Sequence, residues 1–282
     1  MKALIVGAAG QLGRALVKTA PDDAKIVAYT RTDLDISDRD AVERAVRDSG
    51  ADVVFNAAAY TAVDKAESEP DLARLFNAEA VGYLAQAARA SGARLVHVST
   101  DFVFPGNVGK PYTPDTPTAP LGVYGQTKLK GEQAAGGDSL IVRTAWVYDR
   151  DGKNFVNTML RLMGERDALS VVADQIGTPT LAGDLAAALW SLASQGATGV
   201  LHYTNSGVAS WYDFAVAIQE EALAAGRLAD AIPIKPIRTV DYPTPARRPH
   251  YSVLDCSDTY RRIGAPARHW RDALRSTFKD TL

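Results

Sequence analysis

A tyrosine and a lysine stand four residues apart in the stretch VYGQTKLKGE, at Tyr124 and Lys128. If the stretch begins a helix, the two side chains lie one turn apart on one face, so that a phenol and an ammonium group reach the same small volume. A phenol can donate a proton to a developing alkoxide, and a nearby ammonium group lowers the pKa of a phenol. The same spacing also arises by chance, so its meaning depends on the elements that position the pair.

Three glycines follow the first apolar run of the chain, in the order Gly7-Ala8-Ala9-Gly10-Gln11-Leu12-Gly13. A strand that turns through glycines into a helix offers backbone N–H groups and the positive end of a helix dipole to a pyrophosphate. An ordinary tight turn is the alternative, but this context at the amino terminus favours a dinucleotide. The spacing resembles the variant found in short-chain dehydrogenases of the extended type.

The second apolar run ends in Tyr29-Thr30-Arg31-Thr32. An enzyme specific for NAD would carry Asp or Glu there, against the ribose 2′-hydroxyl, whereas Arg31, beside Thr30, can hold a 2′-phosphate. This predicts NADPH as the preferred cofactor, with NADH also accepted as an open alternative. A solvated loop arginine is the other reading of Arg31. Asp35 and Ile36 occupy a position that contacts the adenine in such enzymes.

Short apolar runs alternate with amphipathic stretches over the first 150 residues, which predicts an α/β fold with a doubly wound parallel sheet. We expect a cofactor-binding domain over residues 1–150 and a smaller, mainly substrate-binding lobe over 151–282, with about 169–199 returning to the first domain. The apolar runs are ALIV at 3–6, KIVAY at 25–29, DVVFN at 52–56, RLVHVS at 94–99 and LIVRT at 140–144.

Polar residues follow the third and fourth apolar runs. Ligands of a doubly wound sheet lie beyond the carboxyl ends of its strands, so these residues should line one crevice with the glycine turn. They are Ala59, Tyr60, Thr61, Ser99, Thr100 and Asp101. Capping of a turn is the alternative role for Ser99 to Asp101.

Composition limits the classes of partner. With 31 basic and 33 acidic residues the net charge is −2, so no overall field recruits nucleic acid or an anionic membrane, and an anionic ligand must be met locally. Cys256 is the single cysteine, and the four histidines have no metal-ligand spacing. The apolar stretch at the amino terminus is too short for a signal sequence or a membrane span. We expect a cytoplasmic protein without a metal.

Eight blocks of sequence resemble, in order and spacing, the dTDP-4-dehydrorhamnose reductase family, and they span nearly the whole chain. The blocks are GAAGQLG, NAAAYTAVDKAE, STDFVFPG, VYGQTKLKGE, RTAWVY, NFVNTMLRL, DQIGTPT and YPTPARRPHYSVLD. The resemblance implies an extended short-chain dehydrogenase/reductase with a Rossmann-type domain. It identifies Tyr124 and Lys128 as the catalytic pair and Thr100 as the third catalytic position.

The same resemblance assigns the ligand contacts. It implies that the cofactor meets Gly10 to Leu12, Asp35-Ile36, Ala59 to Thr61, Tyr124 and Lys128, and that the substrate meets Thr100, Asp101 and Trp146. Closure of the core after the fifth strand is the alternative for Trp146. The proline-braced pair Arg247-Arg248 suits a diphosphate, because guanidinium groups match phosphate oxygens; an exposed loop pair is the alternative.

The chain departs from the family at two places. Phe102 stands where many relatives carry Tyr, so a hydrogen bond from that ring is lost. Some relatives pair through metal-bridged carboxylates that begin on the first helix, where this chain has Arg14-Ala15-Leu16-Val17-Lys18. We therefore expect no metal there and a monomer, with a weak dimer as the alternative.

These observations predict an NADPH-dependent reductase that converts dTDP-4-dehydro-β-L-rhamnose to dTDP-β-L-rhamnose, an activated sugar for cell-surface polysaccharide. Two alternatives stay open. One is a reductase of another nucleotide-linked 4-ketosugar. The other is a non-catalytic NADP-binding regulatory subunit, resembling the one associated with methionine adenosyltransferase.

Overall fold

The computed structural model describes residues 1–279. Its strands are β1 (Lys2–Val6), β2 (Lys25–Tyr29), β3 (Val53–Asn56), β4 (Arg94–Thr100), β5 (Leu140–Thr144), β6 (Val147–Tyr148), β7 (Leu169–Val172), β8 (Ile176–Gly177), β9 (Thr180–Leu181), β10 (Gly199–His202), β11 (Ala209–Ser210) and β12 (Ile234–Ile237). The α-helices are α1 (Gln11–Lys18), α2 (Arg39–Ser49), α3 (Val63–Ala66), α4 (Pro70–Arg74), α5 (Ala80–Ala90), α6 (Val123–Ala135), α7 (Phe155–Glu165), α8 (Ala182–Ser194), α9 (Trp211–Ala224), α10 (Ser257–Ile263) and α11 (Trp270–Phe278). No helix within residues 1–279 is long and apolar enough to cross a membrane.

Six parallel strands form the central sheet, in the order β10-β5-β4-β3-β1-β2. The predicted doubly wound sheet is therefore confirmed. Strand β2 lies on one side of β1, whereas β3 and the strands that follow it lie on the other side. The strand order therefore reverses between β1 and β3. A crevice at such a switch point, beyond the carboxyl ends of the strands, is where ligands bind in this architecture.

Helices cover both faces of the sheet, which explains why its inner strands are continuous apolar runs. On one face α1 and α8 pack over buried residues of β1, β3, β4 and β5. On the other face α2 and α5 pack over the alternate residues of the same strands. Because every residue of β3 and β5 is buried, the register of these strands is fixed by both helical layers.

The remaining elements form a smaller lobe with its own apolar core, contributed by α7, α9 and α11. The expected return of residues 169–199 to the sheet needs correction at its start. Strand β7 pairs instead with β12 in the smaller lobe, whereas α8 and β10 do join the large sheet. The division into two domains at residue 150 stays a prediction.

The stretch from Pro70 to Ala90 is not one regular helix. A π-helical turn, Leu75–Glu79, separates α4 from α5. It carries the buried Asn77, whose amide donates to Tyr60 O at 3.0 Å and to Thr127 Oγ1 at 3.2 Å. The π-helical turn thus links the loop after β3 to helix α6. This is a tertiary contact, and the spacing of apolar residues in the sequence does not predict it.

Candidate active site

A cavity of about 880 Å³ opens at the carboxyl ends of β1, β3, β4 and β5. It brings most of the residues singled out in the sequence to one place: Gly7, Gly10, Gln11, Leu12, Arg31, Asp35, Ile36, Ala59, Tyr60, Thr61, Ser99, Thr100, Asp101, Tyr124, Lys128, Trp146 and Arg248. Three others, Gly13, Thr30 and Arg247, do not line it. The Thr30 side chain instead donates to Asp33 Oδ2 at 2.6 Å.

The glycine turn has the shape that close approach of a ligand to the backbone requires. Gly7 has φ +83°, and a Cβ there would lie 2.7 Å from Ala58 N. A Cβ on Gly13 would lie 2.2 Å from Gly7 O, so Gly13 serves the packing of α1 against the turn. Gly10 precedes α1 and provides no side-chain cap, and the first turn of α1 carries no acidic residue. These features fit the pyrophosphate of a dinucleotide.

Tyr124 lies at the start of α6 and faces the same cavity as Thr100, which ends β4. The Thr100 hydroxyl donates to Asp101 Oδ1 at 3.0 Å and accepts from Phe102 N at 3.2 Å. Burial raises the pKa of Tyr124 to about 12, and the hydrogen bond of its phenol with Thr100 opposes that rise. The sequence expectation that Lys128 lowers this pKa toward neutrality is therefore not met in this structure.

Lys128 is almost completely buried, one turn after Tyr124. Its Nζ donates to Val98 O at 2.7 Å and lies 3.5 Å from His97 Nε2. Burial lowers the pKa of Lys128 to about 8, and the Glu132 carboxylate opposes that fall. An amine of this kind can change its charge near neutral pH.

A buried ion pair lies directly behind the catalytic helix. Glu132, one turn beyond Lys128, accepts from Arg143 Nη2 at 2.7 Å and Nε at 2.9 Å, and from Ser99 Oγ at 2.6 Å. Glu132 and Arg143 are each 5% exposed. Because Glu132, Arg143 and Ser99 come from α6, β5 and β4, these contacts fix the position of α6, which carries Tyr124 and Lys128, against β4, which carries Thr100.

Two buried polar atoms on the cavity wall have no hydrogen-bond partner within residues 1–279: Asp101 Oδ2 and Thr144 Oγ1. Burial raises the pKa of Asp101 to about 6, against the lowering effect of hydrogen bonds with Ser252, Thr100 and the backbone. Unsatisfied buried groups of this kind are rare in folded proteins, and here they are available to a polar ligand.

The cavity is cationic although the whole chain is not. Its charged lining residues are the cations Arg14, Arg31, Lys128, Lys153 and Arg248 and the carboxylates Asp35 and Asp101. The Arg31 guanidinium lies 5.6 Å from the centre of the Phe76 ring. The local field therefore supplies the attraction for an anionic ligand that the net charge of −2 does not.

Of the two adjacent arginines, Arg248 is half-buried and lines the cavity, whereas Arg247 is exposed outside it. Arg248 makes a two-pronged contact with Asp64, from Nη2 to Oδ2 at 2.7 Å and from Nη1 to Oδ1 at 2.8 Å. This contact joins the carboxyl-terminal loop to α3 and holds the guanidinium at the cavity edge.

Trp146 also lines the cavity, and its backbone is in the left-handed conformation, with φ +49°. Its ring stacks on that of Trp211 with 3.6 Å between centroids and 11° between planes. A Cβ on Gly177 would lie 2.7 Å from the Trp146 indole. Trp146 is thus packed tightly by Trp211 and Gly177, and Trp211 forms part of the same wall. The wall is a paired aromatic surface and not the single platform that the sequence suggested.

The family model described as "RmlD substrate binding domain" matches residues 1–282. The chain belongs to this family. It is 42% identical to the dTDP-4-dehydrorhamnose reductase of Escherichia coli, over 98% of this chain and 96% of that protein. It is 45% identical to a probable dTDP-4,6-dihydroxy-2-methyloxan-3-one 4-ketoreductase of Streptomyces antibioticus, over 100% of this chain and 96% of that protein. Among solved structures, dTDP-4-dehydrorhamnose reductase of Bacillus anthracis in complex with NADP gives a TM-score of 0.93 at 35% identity, and 98% of each chain is covered.

The wall residues of this RmlD-family cavity that the sequence reasoning did not assign to it include Arg14, Phe76, Lys153 and Trp211. Arg14 was noted only for the face of its helix. Phe76 and Trp211 occur among apolar helical residues, where an aromatic side chain is normally part of a core. Lys153 lies in a short polar loop without periodicity. A search for unpaired cations and aromatics that flank the recognised blocks would have found Lys153, next to NFVNTMLRL, and no signal in the sequence marks the other three.

Proposed function

We propose that this protein is an NADPH-dependent reductase that converts dTDP-4-dehydro-β-L-rhamnose to dTDP-β-L-rhamnose. The observation that carries the proposal is the meeting of Thr100, Tyr124 and Lys128 with the glycine turn in one cationic cavity, in a chain of the RmlD family. The product would serve as an activated sugar for cell-surface polysaccharide.

The residues of the cavity suit the reduction of a sugar ketone. When bound, NADPH supplies a hydride to the carbonyl carbon, and negative charge develops on the carbonyl oxygen. Tyr124 donates the proton that this oxygen takes up. With its pKa raised to about 12, the phenol stays protonated at neutral pH. It is still acidic enough to give its proton to an alkoxide. The Thr100 hydroxyl holds the same oxygen at the angle that the transfer requires.

Lys128 has a second task besides its charge. Its ammonium group is held by Val98 O at the floor of the cavity, where it can bind a ribose hydroxyl of the cofactor. Among the other lining residues, Arg31 binds the 2′-phosphate, and Asp35 and Ile36 contact the adenine. The backbone of Ala59 to Thr61 closes the cofactor site on the side of β3.

The sugar nucleotide would occupy the remaining wall. Asp101 has a free carboxylate oxygen for a sugar hydroxyl, and the Trp146 and Trp211 pair offers an aromatic surface to the base or the sugar. Arg248 suits the diphosphate, because it is held at the cavity edge by Asp64 and has less side-chain freedom to lose on binding.

A second candidate is a reductase of another dTDP-linked ketosugar. The relative from Streptomyces antibioticus, 45% identical over the whole chain, is named for such a substrate. Both candidates use the same catalytic residues, so the sugar-facing residues decide between them. Product analysis separates them, because the two reactions give different dTDP sugars.

The regulatory-subunit alternative lacks a specific observation in its favour, since a subunit that only binds a dinucleotide does not need a proton donor beside it. We further propose a cytoplasmic monomer. The single cysteine, Cys256, is buried and free. The exposed face of α1 carries Arg14, Val17 and Lys18, among which only Val17 is apolar.

The test supplies dTDP-4-dehydro-β-L-rhamnose and follows the loss of NADPH absorbance, with identification of the product by NMR. We expect Tyr124→Phe to lose at least about a hundredfold in kcat while it still binds NADP⁺, because it removes the proton and little else. Turnover close to wild type would refute the role of Tyr124. Binding of dinucleotide without turnover of any dTDP-ketosugar would instead favour the regulatory subunit.

A further inference from the structure

A short segment between β6 and α7, residues 149–154, lies against the glycine turn. Asn154 Nδ2 donates to Gln11 Oε1 at 2.8 Å. Arg14 Nη2 donates to Asp151 O at 3.2 Å, and the same nitrogen lies 4.0 Å from a carboxylate oxygen of Asp149. The first turn of α1 and the 149–154 segment, about 140 residues apart in the chain, are thus joined by side chains from both sides.

The conformation of the 149–154 segment is fixed locally as well. Asn154 caps α7 by accepting from Asn157 N at 2.9 Å, and its amide also donates to Asp149 O at 2.8 Å. Gly152 has φ +94°, and a Cβ there would lie 3.0 Å from the Arg14 guanidinium. A side chain at position 152 would be strained and would press on Arg14, so the segment depends on this glycine to lie so close to α1.

Lys153 is the charged residue of this segment that lines the cavity. Its side chain is exposed, and it makes no hydrogen bond or ion pair within residues 1–279. Arg14, which the 149–154 segment contacts, already has a hydrogen-bond partner, because its Nη1 donates to Ala9 O at 2.6 Å. Among the described residues, the Lys153 ammonium group therefore has no partner, and it lines the same cavity as Gly10 and Gln11, where the backbone and the dipole of α1 also attract an anion.

We propose that Lys153 binds a phosphate group of the ligand held at the glycine turn, and that this group is the pyrophosphate of the dinucleotide cofactor. The inference rests on the proposed function for the identity of the cofactor. The diphosphate of the sugar nucleotide offers the same chemistry, but Arg248 and the aromatic wall that suit that ligand come from other elements. The 149–154 segment contacts Gln11 through Asn154, the residue that follows Lys153, and so brings Lys153 to the cofactor side.

The proposed role of Lys153 and that of Arg31 predict different effects on the binding of NAD⁺ and NADP⁺. Both NAD⁺ and NADP⁺ carry the pyrophosphate, so loss of the Lys153 charge weakens both to the same degree. Loss of the Arg31 charge weakens NADP⁺ alone, because only NADP⁺ carries the 2′-phosphate. The comparison of the two dinucleotides therefore identifies which phosphate the lysine meets.

The experiment measures the dissociation constants of NADP⁺, NAD⁺ and dTDP by quenching of tryptophan fluorescence. The variants are Lys153→Met, which keeps the aliphatic stem, and Lys153→Arg, which keeps the charge. Lys235→Met serves as the matched control, since Lys235 is exposed on β12 and lies outside the cavity. We expect Lys153→Met to raise the dissociation constants of both dinucleotides about tenfold, as loss of a charge-assisted hydrogen bond implies. Lys153→Arg should restore most of the affinity, and dTDP binding should not change.

Three outcomes would overturn the inference. Unchanged affinity for all three ligands would mean that Lys153 is only a solvated surface residue. Weaker dTDP binding with unchanged dinucleotide binding would assign the lysine to the sugar nucleotide. A change confined to NADP⁺ would assign it to the 2′-phosphate. If the unaltered protein bound neither dinucleotide, the proposed function would fall together with the inference, and this result is distinct from a failure of Lys153 alone.

Discussion

Asp101 is expected to destabilise the folded protein at neutral pH. Its side chain is 2% exposed, and one of its two carboxylate oxygens has no partner within residues 1–279. Burial therefore raises its pKa from 3.8 to about 6. A carboxylate that must ionise in such surroundings disfavours the folded state, so Asp101→Asn should become progressively more stable than the wild type as the pH rises. Asn keeps an oxygen that can accept from Thr100.

The size and sign of the effect follow from proton binding. Between pH 3.8 and about 6, the folded wild type keeps a proton on Asp101 that the unfolded chain has released, so its stability falls as the pH rises through this window. Each unit of pKa difference corresponds to about 1.4 kcal/mol, so the part of the window above about pH 4.5 amounts to about 2 kcal/mol. Asn does not titrate. The side-chain amide of the Asp101→Asn variant has an unpaired N–H group, which changes the free energy of unfolding by the same amount at every pH. It therefore does not alter this pH dependence.

The assay is urea unfolding of both proteins at about pH 4.5 and about pH 7.5, followed by tryptophan fluorescence. The stability of Asp101→Asn relative to the wild type should increase by about 2 kcal/mol between these pH values. Asp115→Asn is the matched control, because Asp115 is exposed in the loop before α6 and should show no such increase. The reasoning is refuted if the difference between Asp101→Asn and the wild type is the same at both pH values. Turnover should fall in Asp101→Asn, since the same carboxylate is the group that we propose for contact with the substrate.

Three further predictions concern charges around the cavity. Arg31→Asp should raise the KM for NADPH and lower that for NADH, and an unchanged ratio would remove Arg31 from the 2′-phosphate site. Arg248→Ala should raise the KM for the sugar nucleotide about tenfold or more with a smaller effect on kcat, whereas Arg247→Ala should leave both unchanged; equal effects would contradict the inward position of Arg248 alone. Glu132→Gln leaves Arg143 as an unpaired buried cation and should lower the free energy of unfolding by about 3 kcal/mol or more, measured by urea unfolding, so a variant as stable as the wild type would contradict the pairing.

Much of the fold follows from local pattern. The apolar runs that end near Val6, Tyr29, Asn56, Thr100 and Thr144 are strands of the large sheet, because residues buried on both faces leave a continuous apolar signature. The parallel order then places the loops after these strands at one edge. For this reason the sequence predicts that the glycine turn and Thr100 lie in one crevice, and the family resemblance adds Tyr124 to it.

Contacts between the lobe and the sheet are the part that sequence did not predict. Asp64 and Arg248 are 184 positions apart, and neither lies in a periodic pattern that points to the other. The same holds for Asn154 with Gln11 and for the ring pair on the far wall. Such contacts depend on how the smaller lobe packs against the sheet. The pairing of β7 with β12, instead of with the large sheet, is likewise a feature that the sequence did not predict.

The spacing of Tyr124 and Lys128 correctly predicts that both side chains line one cavity, but the expected lowering of the Tyr124 pKa by Lys128 is not seen. The one-turn separation fixes where the two groups lie, whereas the pKa of each depends on the water that it loses and on partners from other elements. In this structure Lys128 gives its closest hydrogen bond to Val98 O, and burial moves the two pKa values apart, down to about 8 for the amine and up to about 12 for the phenol. A phenol that keeps its proton at neutral pH can only give it away, and the alkoxide formed by hydride transfer is a base strong enough to take it. The protonated phenol of Tyr124 is the form that a proton donor in ketone reduction needs, and the Glu132 carboxylate behind Lys128 opposes the loss of a proton from the amine.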